Sequence, residues 1–543
     1  MTNIHFQFEK DHQTYKIELK PSEVWSPNEV FVDGRRYLLS GDPDQLRWLI
    51  EQIPQFSKHE NVPLSDLKLR LITVGAHDIS VSEKAHEIGV AALLPQARQA
   101  EAHHQRLEEI TTQRLALQKQ LKEAQKAHPE LIEILKTEVK EAKKAEMNAY
   151  LQYMEVKKHF KGVVLVKDGG KELLRAVYGQ RSGLTTQDIK PNTLATRFCI
   201  GSMGKMLTAS AIMLLEQEGQ LSLAEEINRY LPLEFQHKLW KGITIRHLLM
   251  HTSGIPLYGS MEQDDLRTRP FTVQDLFEIT LILLYTEKNH LKWEDEINTY
   301  LPREYQQSRW NGISVLNVLT HETGREDMQS NTLYQRVDEL YRFMTTHVKE
   351  IGGGLLFAPG TGWSYCNSGY VLLGQIIKNL RHEVSYETYM KKLFESLGMV
   401  KTGFDYDIHS DARGFWEKDP SLFVLAEHMQ IHASKANAAG GSIFSTLEDM
   451  ERLDQALYNP NFLTQTTRTK MFTASLPQYP REGLGFAIRE NKFVGHPGAN
   501  HGFNSFMERN IETRDLFIVL GNIALETVSA KEIAEHLEDI FYS

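Results

Sequence analysis

Short apolar runs at the two ends of one long region constrain this chain more than any other feature. Gly162-Val-Val-Leu-Val166, the turn Asp168-Gly169-Gly170 and the return run Leu173 to Tyr178 read as a β-hairpin. Leu516-Phe-Ile-Val-Leu520, close to the C-terminus, has the length of a strand and falls far short of a membrane span. A helical stretch follows from Ser529 to Phe541. Strands at both ends with helices between predict an antiparallel sheet completed by both termini of the region, with helices packed on it. Residues 159–543 are therefore read as an α+β domain. At 543 residues the chain is too long for one hydrophobic core, so further units are expected ahead of it.

Two such units are legible. In residues 1–91, Ile4 to Phe8 and Tyr15 to Leu19 alternate apolar and polar residues as half-buried strands do. Asp33-Gly34 marks a hairpin turn, and Asp44 to Ile53 reads as a short amphipathic helix, which makes a small α+β module without recognisable chemistry. Residues 92–158 shift to Ala, Glu, Lys, Gln and Leu. Leu107, Ile110, Arg114, Leu117, Leu121 and Ala124 step by threes and fours, a heptad seam, until Pro129 interrupts it. A second helical stretch runs through Leu131, Leu135, Val139 and Ala142. The arm is either a helical hairpin folded on itself or a coiled-coil seam that builds a homo-oligomer.

Inside the long region one segment repeats. Adding 70 to the numbering carries Glu226-Ile-Asn228-x-Tyr230-Leu-Pro232 onto Glu296-Ile-Asn298-x-Tyr300-Leu-Pro302, and Trp240-x-Gly242 onto Trp310-x-Gly312. From Ser222 to Ile255, 14 of 34 positions match, which reads as a tandem duplication with an inserted copy at about 257–324. Ser202-Met-Gly-Lys205 precedes the first copy and Thr272-Val-Gln-Asp275 the second, so only the first can supply a nucleophile.

Ser202 and Lys205 sit where a helix should begin, after Gly201 and before the apolar stripe Met206, Ala209, Ile212, Met213. Residues three apart share a helix face, so the amine of Lys205 can reach the hydroxyl of Ser202. By itself Ser-x-x-Lys recurs by chance. Two further motifs follow in order: Tyr365-Cys-Asn367 after Pro359-Gly360, then His496-Pro-Gly498-Ala499 before another strand pattern. Ser-x-x-Lys, Tyr-x-Asn and His-x-Gly in this order and spacing resemble the class C β-lactamases and the related D,D-peptidases and esterases of the penicillin-binding protein family. Ile243 to Pro256 and Ala438 to Asp449 also look like signatures of that family. The resemblance covers about residues 159–543 and leaves 1–158 unexplained.

The resemblance implies a β-lactamase-like hydrolase domain, a sheet flanked by helices with a helical subdomain, and an acyl-enzyme on Ser202. It implies that Lys205 and Tyr365 share the base duty, with Lys205 favouring the phenolate of Tyr365 or keeping its proton mobile. Asn367 would hold Lys205 and the substrate amide. The backbone N–H groups of Ser202 and Ala499 would form the oxyanion hole, with His496 and Gly498 lining the substrate site. A neutral imidazole at His496, where many relatives carry lysine, holds a carboxylate less tightly than an ammonium would. This favours ester or amide substrates over β-lactams and D-Ala-D-Ala, with peptides still in range. A rival reading is a β-lactamase-like scaffold with little turnover that assembles through its arm.

Other chemistry is set aside. These groups need no metal or cofactor, and none is expected. His428 and His432 have metal-pair spacing but no third ligand. His251 is read as structural, and Cys199 and Cys366 as small buried hydrophobes that flank motifs. A net charge of -10 gives no reason to expect nucleic acid, and no apolar run predicts a membrane partner. The charged opening MTNIHFQFEKDHQ lacks the apolar core of a signal peptide, which points to the cytoplasm. A secreted effector without such a signal would read the same way.

Overall fold

The computed structural model describes residues 4–10, 13–19, 29–32, 35–38, 68–74, 77–80, 93–127, 131–183, 189–255, 295–301, 303, 306, 354–405, 411–419, 422–426, 438–474, 476–500, 502–524 and 529–543. The N-terminal module has strands β1 (Ile4–Lys10), β2 (Gln13–Leu19), β3 (Glu29–Val32), β4 (Arg35–Leu38), β5 (Lys68–Val74) and β6 (His77–Ser80). They form a sheet in the order β2-β1-β5-β6 and a separate antiparallel β3-β4 pair. The helix expected at Asp44 to Ile53 lies outside the described residues, as do His428 and His432.

The long region is built on a six-stranded sheet. Its strands are β7 (Gly162–Asp168), β8 (Lys171–Tyr178), β9 (Ala487–Arg489), β10 (Phe493–Asn500), β11 (Phe503–Asn510) and β12 (Leu516–Gly521). They lie in the order β9-β10-β11-β12-β7-β8, each pair antiparallel. The first hairpin thus pairs with the last strand, Val163 opposite Leu520 and Leu165 opposite Ile518. Side chains alternate between faces along a strand. Val163, Leu165, Leu516, Ile518 and Leu520 enter one core, while Val164, Val166, Phe517 and Val519 enter another. Burial on both faces is why these strands read as unbroken apolar runs.

The larger core is organised by helix α3 (Gly204–Gln217), all but three of whose residues are buried. Around it pack α4 (Asn367–Leu380), α5 (Tyr386–Ser396) and α6 (Leu447–Leu457). Ser385 and Thr446 cap α5 and α6, accepting from the backbone N–H groups of Thr388 and Asp449. Part of the duplicated segment is visible twice. Ile227–Arg229 and Ile297–Thr299 are both single 3₁₀ turns, followed by Gln236 donating to the Leu231 carbonyl at 2.9 Å and Gln306 to that of Leu301 at 2.7 Å. Leu231 and Leu301 are both buried in the larger core. The rest of the second copy lies outside the described residues.

The arm folds differently from the boundary drawn at residue 158. Helices α1 (Leu93–Ala127) and α2 (Ile132–Lys158) pack on each other, and the covered residues of α1 include Leu107, Ile110, Arg114, Leu117, Leu121 and Ala124. Arg114, a charge on that seam, is answered by the buried carboxylate of Glu146 on α2, which also accepts from Thr111 at 3.0 Å. The C-terminal half of α2 does not belong to a separate arm. Met147, Tyr150, Leu151 and Met154 recur at three- and four-residue steps and fill the second core beneath the sheet. The C-terminal helix α7 (Ala530–Tyr542) adds Ile533, Ala534, Leu537 and Ile540 to that core, and Tyr150 stacks on His536 at 4.0 Å. A cut at 158 would strip one layer from the sheet. Leu151→Ala is therefore expected to destabilise the long region by about 2–5 kcal/mol in urea unfolding. A change below about 1 kcal/mol would place α2 outside the cooperative unit.

Candidate active site

Ser202 lies in a 3₁₀ turn, Gly201–Met203, that runs directly into α3. The turn is wedged against the strand that carries the third motif. Gly201 has φ +52°, and a Cβ there would meet the Ala499 backbone at 2.7–2.9 Å. A Cβ on Gly498 would lie 2.0 Å from the Ile200 carbonyl oxygen. Glycine at both positions lets the backbones of Ser202 and Ala499 come together.

Lys205, one turn beyond Ser202 and the second residue of α3, has no exposed surface. Its Nζ donates to Ser202 Oγ at 3.0 Å and to the Gly440 carbonyl. It also lies 4.9 Å from the ring centre of Tyr365 and 5.3 Å from that of Tyr370. Burial brings its pKa down from the ordinary lysine value to about 7, opposed in part by Cys366. The amine is thus a proton acceptor near neutral pH, on the same helix face as the hydroxyl.

Tyr365 shares a hydrogen bond with Ser202, yet burial pushes its hydroxyl above the ordinary tyrosine range. This is opposite to a stabilised phenolate, because desolvation disfavours the charged oxygen more than the Ser202 hydrogen bond favours it. The phenol stays protonated, whereas the amine passes between its charged and neutral forms near pH 7. Asn367 begins α4, and its buried Oδ1 has no hydrogen-bond partner. The expected Asn367–Lys205 bond is replaced by the Gly440 carbonyl, a backbone acceptor that side-chain types could not reveal. His496 is almost fully buried, with Nδ1–H donating to the Pro497 carbonyl. Burial, then the nearby Lys205, lowers its pKa to about 4, so the ring is neutral. Cys199 and Cys366 are both buried thiols outside any disulfide, pushed up to about 11 by burial.

His251 makes its contacts at the site itself. Its carbonyl accepts from Ser364 N–H at 3.0 Å and its Nδ1 from Cys366 N–H at 3.0 Å, so it grips the chain on both sides of Tyr365. Its ring centre lies 4.4 Å from that of Tyr365. Burial holds its pKa well below the ordinary histidine value, which keeps Nδ1 free to accept. Its φ of +58°, unusual for a non-glycine residue, is the backbone expense of reaching both neighbours. Its place in His251-Thr-Ser-Gly254 was the only sequence signal.

The sequence pattern of the family described as Beta-lactamase matches residues 141–279 and 276–540, well over half of the chain. The chain belongs to the beta-lactamase family. It is a family of serine hydrolases that includes penicillin-binding proteins and amidases, and its match begins within α2, where the second core begins. The chain is 24% identical over 433 residues to penicillin-binding protein 4* of Bacillus subtilis (strain 168), covering 74% of this chain and 77% of that protein. It is 24% identical over 399 residues to protein flp of Staphylococcus aureus, covering 70% of this chain and 63% of that one. Among solved structures, a class C beta-lactamase in complex with cefoxitin aligns with a TM-score of 0.50 at 17% identity, over 74% of this chain and 99% of that one. The D-amino acid amidase from Ochrobactrum anthropi SV3 aligns with a TM-score of 0.50 at 22% identity, over 73% and 99%. Both share the fold: an antiparallel sheet with helices on it.

The pKa of Lys205 sets a testable pH dependence. Only the neutral amine can take the Ser202 proton, so labelling of Ser202 by a fluorophosphonate should climb about tenfold per pH unit and level off above about 7. Lys205→Ala should remove the step. A rate independent of pH between about 5 and 9 would show that the proton goes elsewhere.

Proposed function

We propose that this chain is a serine hydrolase that forms an acyl-enzyme through Ser202 on ester or amide substrates. The observation that carries the reading is Lys205: a fully buried amine, brought to about pKa 7, with Nζ 3.0 Å from Ser202 Oγ. Burying an amine without a counter-charge is costly, and a scaffold has no use for it.

In this reading Ser202 Oγ attacks the scissile carbonyl carbon and its proton passes to Lys205 Nζ. The carbonyl oxygen takes up the negative charge between the backbone N–H groups of Ser202 and Ala499, where losing one donor generally costs about 100- to 1,000-fold. The C–O or C–N bond then breaks, and the leaving group takes the hydroxyl proton of Tyr365, which Lys205 replaces. Water reverses the sequence and releases the acid. His251 holds Tyr365 in position, and Asn367 Oδ1, buried and unanswered, is free to accept from a substrate N–H. Neutral His496, Gly498 and Ala499 line the acyl side.

Intact protein treated with a fluorophosphonate should gain one probe mass, and Ser202→Ala none. Labelling that survives the substitution would move the nucleophile. Tyr365→Phe keeps the ring and removes the proton, so kcat should fall by at least about 100-fold with a modest change in KM. If the intact chain neither labels nor turns over any ester, amide or β-lactam, yet assembles through residues 92–158, the scaffold reading replaces this one.

A further inference from the structure

The basic groups around Ser202 share an unusual property. Burial lowers Lys205 to about 7 and His496 to about 4, and it holds His251 well below its ordinary value. Each is pushed towards neutrality, so these three offer a substrate carboxylate little fixed positive charge.

The acidic side is different. Glu482 sits in the turn before β9, its N–H bonded to the Tyr479 carbonyl and its backbone bridged to Ala487. It is close enough to bear electrostatically on both Tyr365 and Tyr370. Its carboxylate accepts a hydrogen bond from the Trp363 side chain, and burial raises it to about 7 with no cation among the influences on it. The adjoining Arg481 is solvent-exposed. Trp363 itself remains 42% exposed, edge-on to His251 at 6.3 Å, and His251 in turn touches Tyr365. An open indole hydrogen-bonded to a partly desolvated carboxylate thus lies one ring away from the tyrosine that contacts Ser202.

We propose that Glu482 and Trp363 form an ammonium subsite, and that the preferred substrates are esters or amides carrying a positively charged amine near the scissile carbonyl. An ammonium above the exposed indole gains the ring face and a charge-assisted bond to the carboxylate, which keeps its bond from the indole N–H. It also supplies a counter-charge to Glu482, which forms no ion pair among the described residues. A substrate carboxylate in the same place would meet Glu482 and be repelled. The inference rests on the hydrolase reading of the same site.

The test compares alanine p-nitroanilide with lactoyl p-nitroanilide, in which a hydroxyl replaces the amine, using L and D forms of each. In the full chain, kcat/KM for the amine should exceed that for the neutral analogue by at least about tenfold in one enantiomeric series. In Glu482→Gln that ratio should collapse towards one, and in Trp363→Leu it should fall part of the way. A purely structural role for Glu482 would lower both substrates together and leave the ratio intact, which overturns the proposal. Binding is read separately, by calorimetry of benzylamine against benzyl alcohol on Ser202→Ala, so that a chain without turnover still gives an answer. Benzylamine should bind more tightly, and Glu482→Gln should remove the difference. Equal binding of the two overturns the subsite even if the hydrolase reading stands, whereas tighter benzylamine binding supports it even if turnover is absent.

Discussion

The site depends on one close approach of backbone to backbone. The turn at Gly201 and the strand at Gly498-Ala499 touch without room for a side chain on either glycine. That contact joins the start of α3 to the edge of the β9–β12 side of the sheet. The proposed catalytic groups are all measured from this junction. It sets where the Ser202 hydroxyl points and which N–H groups stand beside it. It also sets how far Lys205 is drawn beneath the surface. An extra methyl at Gly498 would force strand and helix apart, because the atom it meets is a carbonyl oxygen and not a flexible side chain.

Burial then does the electrostatic work. Lys205 is surrounded by α3, the Gly440 carbonyl and two tyrosine rings, so its charge is poorly solvated and its proton is lost near neutrality. The same desolvation keeps His251 and His496 neutral and Tyr365 protonated. A neutral His251 can accept the Cys366 N–H, which fixes Tyr365, which touches Ser202. A water-filled site would leave Lys205 and the histidines closer to their ordinary values, and this division of roles would be lost.

The two cores on either side of the sheet explain why so much chain is needed. The larger one holds α3 and the helices that carry the second motif, so it positions chemistry. The smaller one, closed by α2 and α7, covers the other face of the sheet. The buried pair of Arg114 and Glu146 ties α1 to α2, and Arg114 also reaches Ser543 Oγ at 2.7 Å. The arm is thereby fastened to the last residue of the chain. A buried pair of this kind contributes less net stability than register, since desolvation offsets most of its attraction.

Much of this was legible in the amino-acid order alone. The apolar runs at 162–166 and 516–520 determined the sheet, because strands buried on both faces must be apolar throughout. Ser202 and Lys205 were visible because a helix brings residues three apart onto one face. The motif order Ser202, Tyr365, His496 pointed to a family. What the sequence could not show were contacts made by backbone atoms or by residues far apart in the chain. The Gly440 carbonyl at Lys205, the grip of His251 on Tyr365 and the placing of Glu482 beside Trp363 are of this kind. The stripe Met147, Tyr150, Leu151, Met154 was present in the letters, yet only the fold decided that it faces the sheet and not another helix. Periodicity tells which residues share a face. What that face meets depends on how the rest of the chain closes around it.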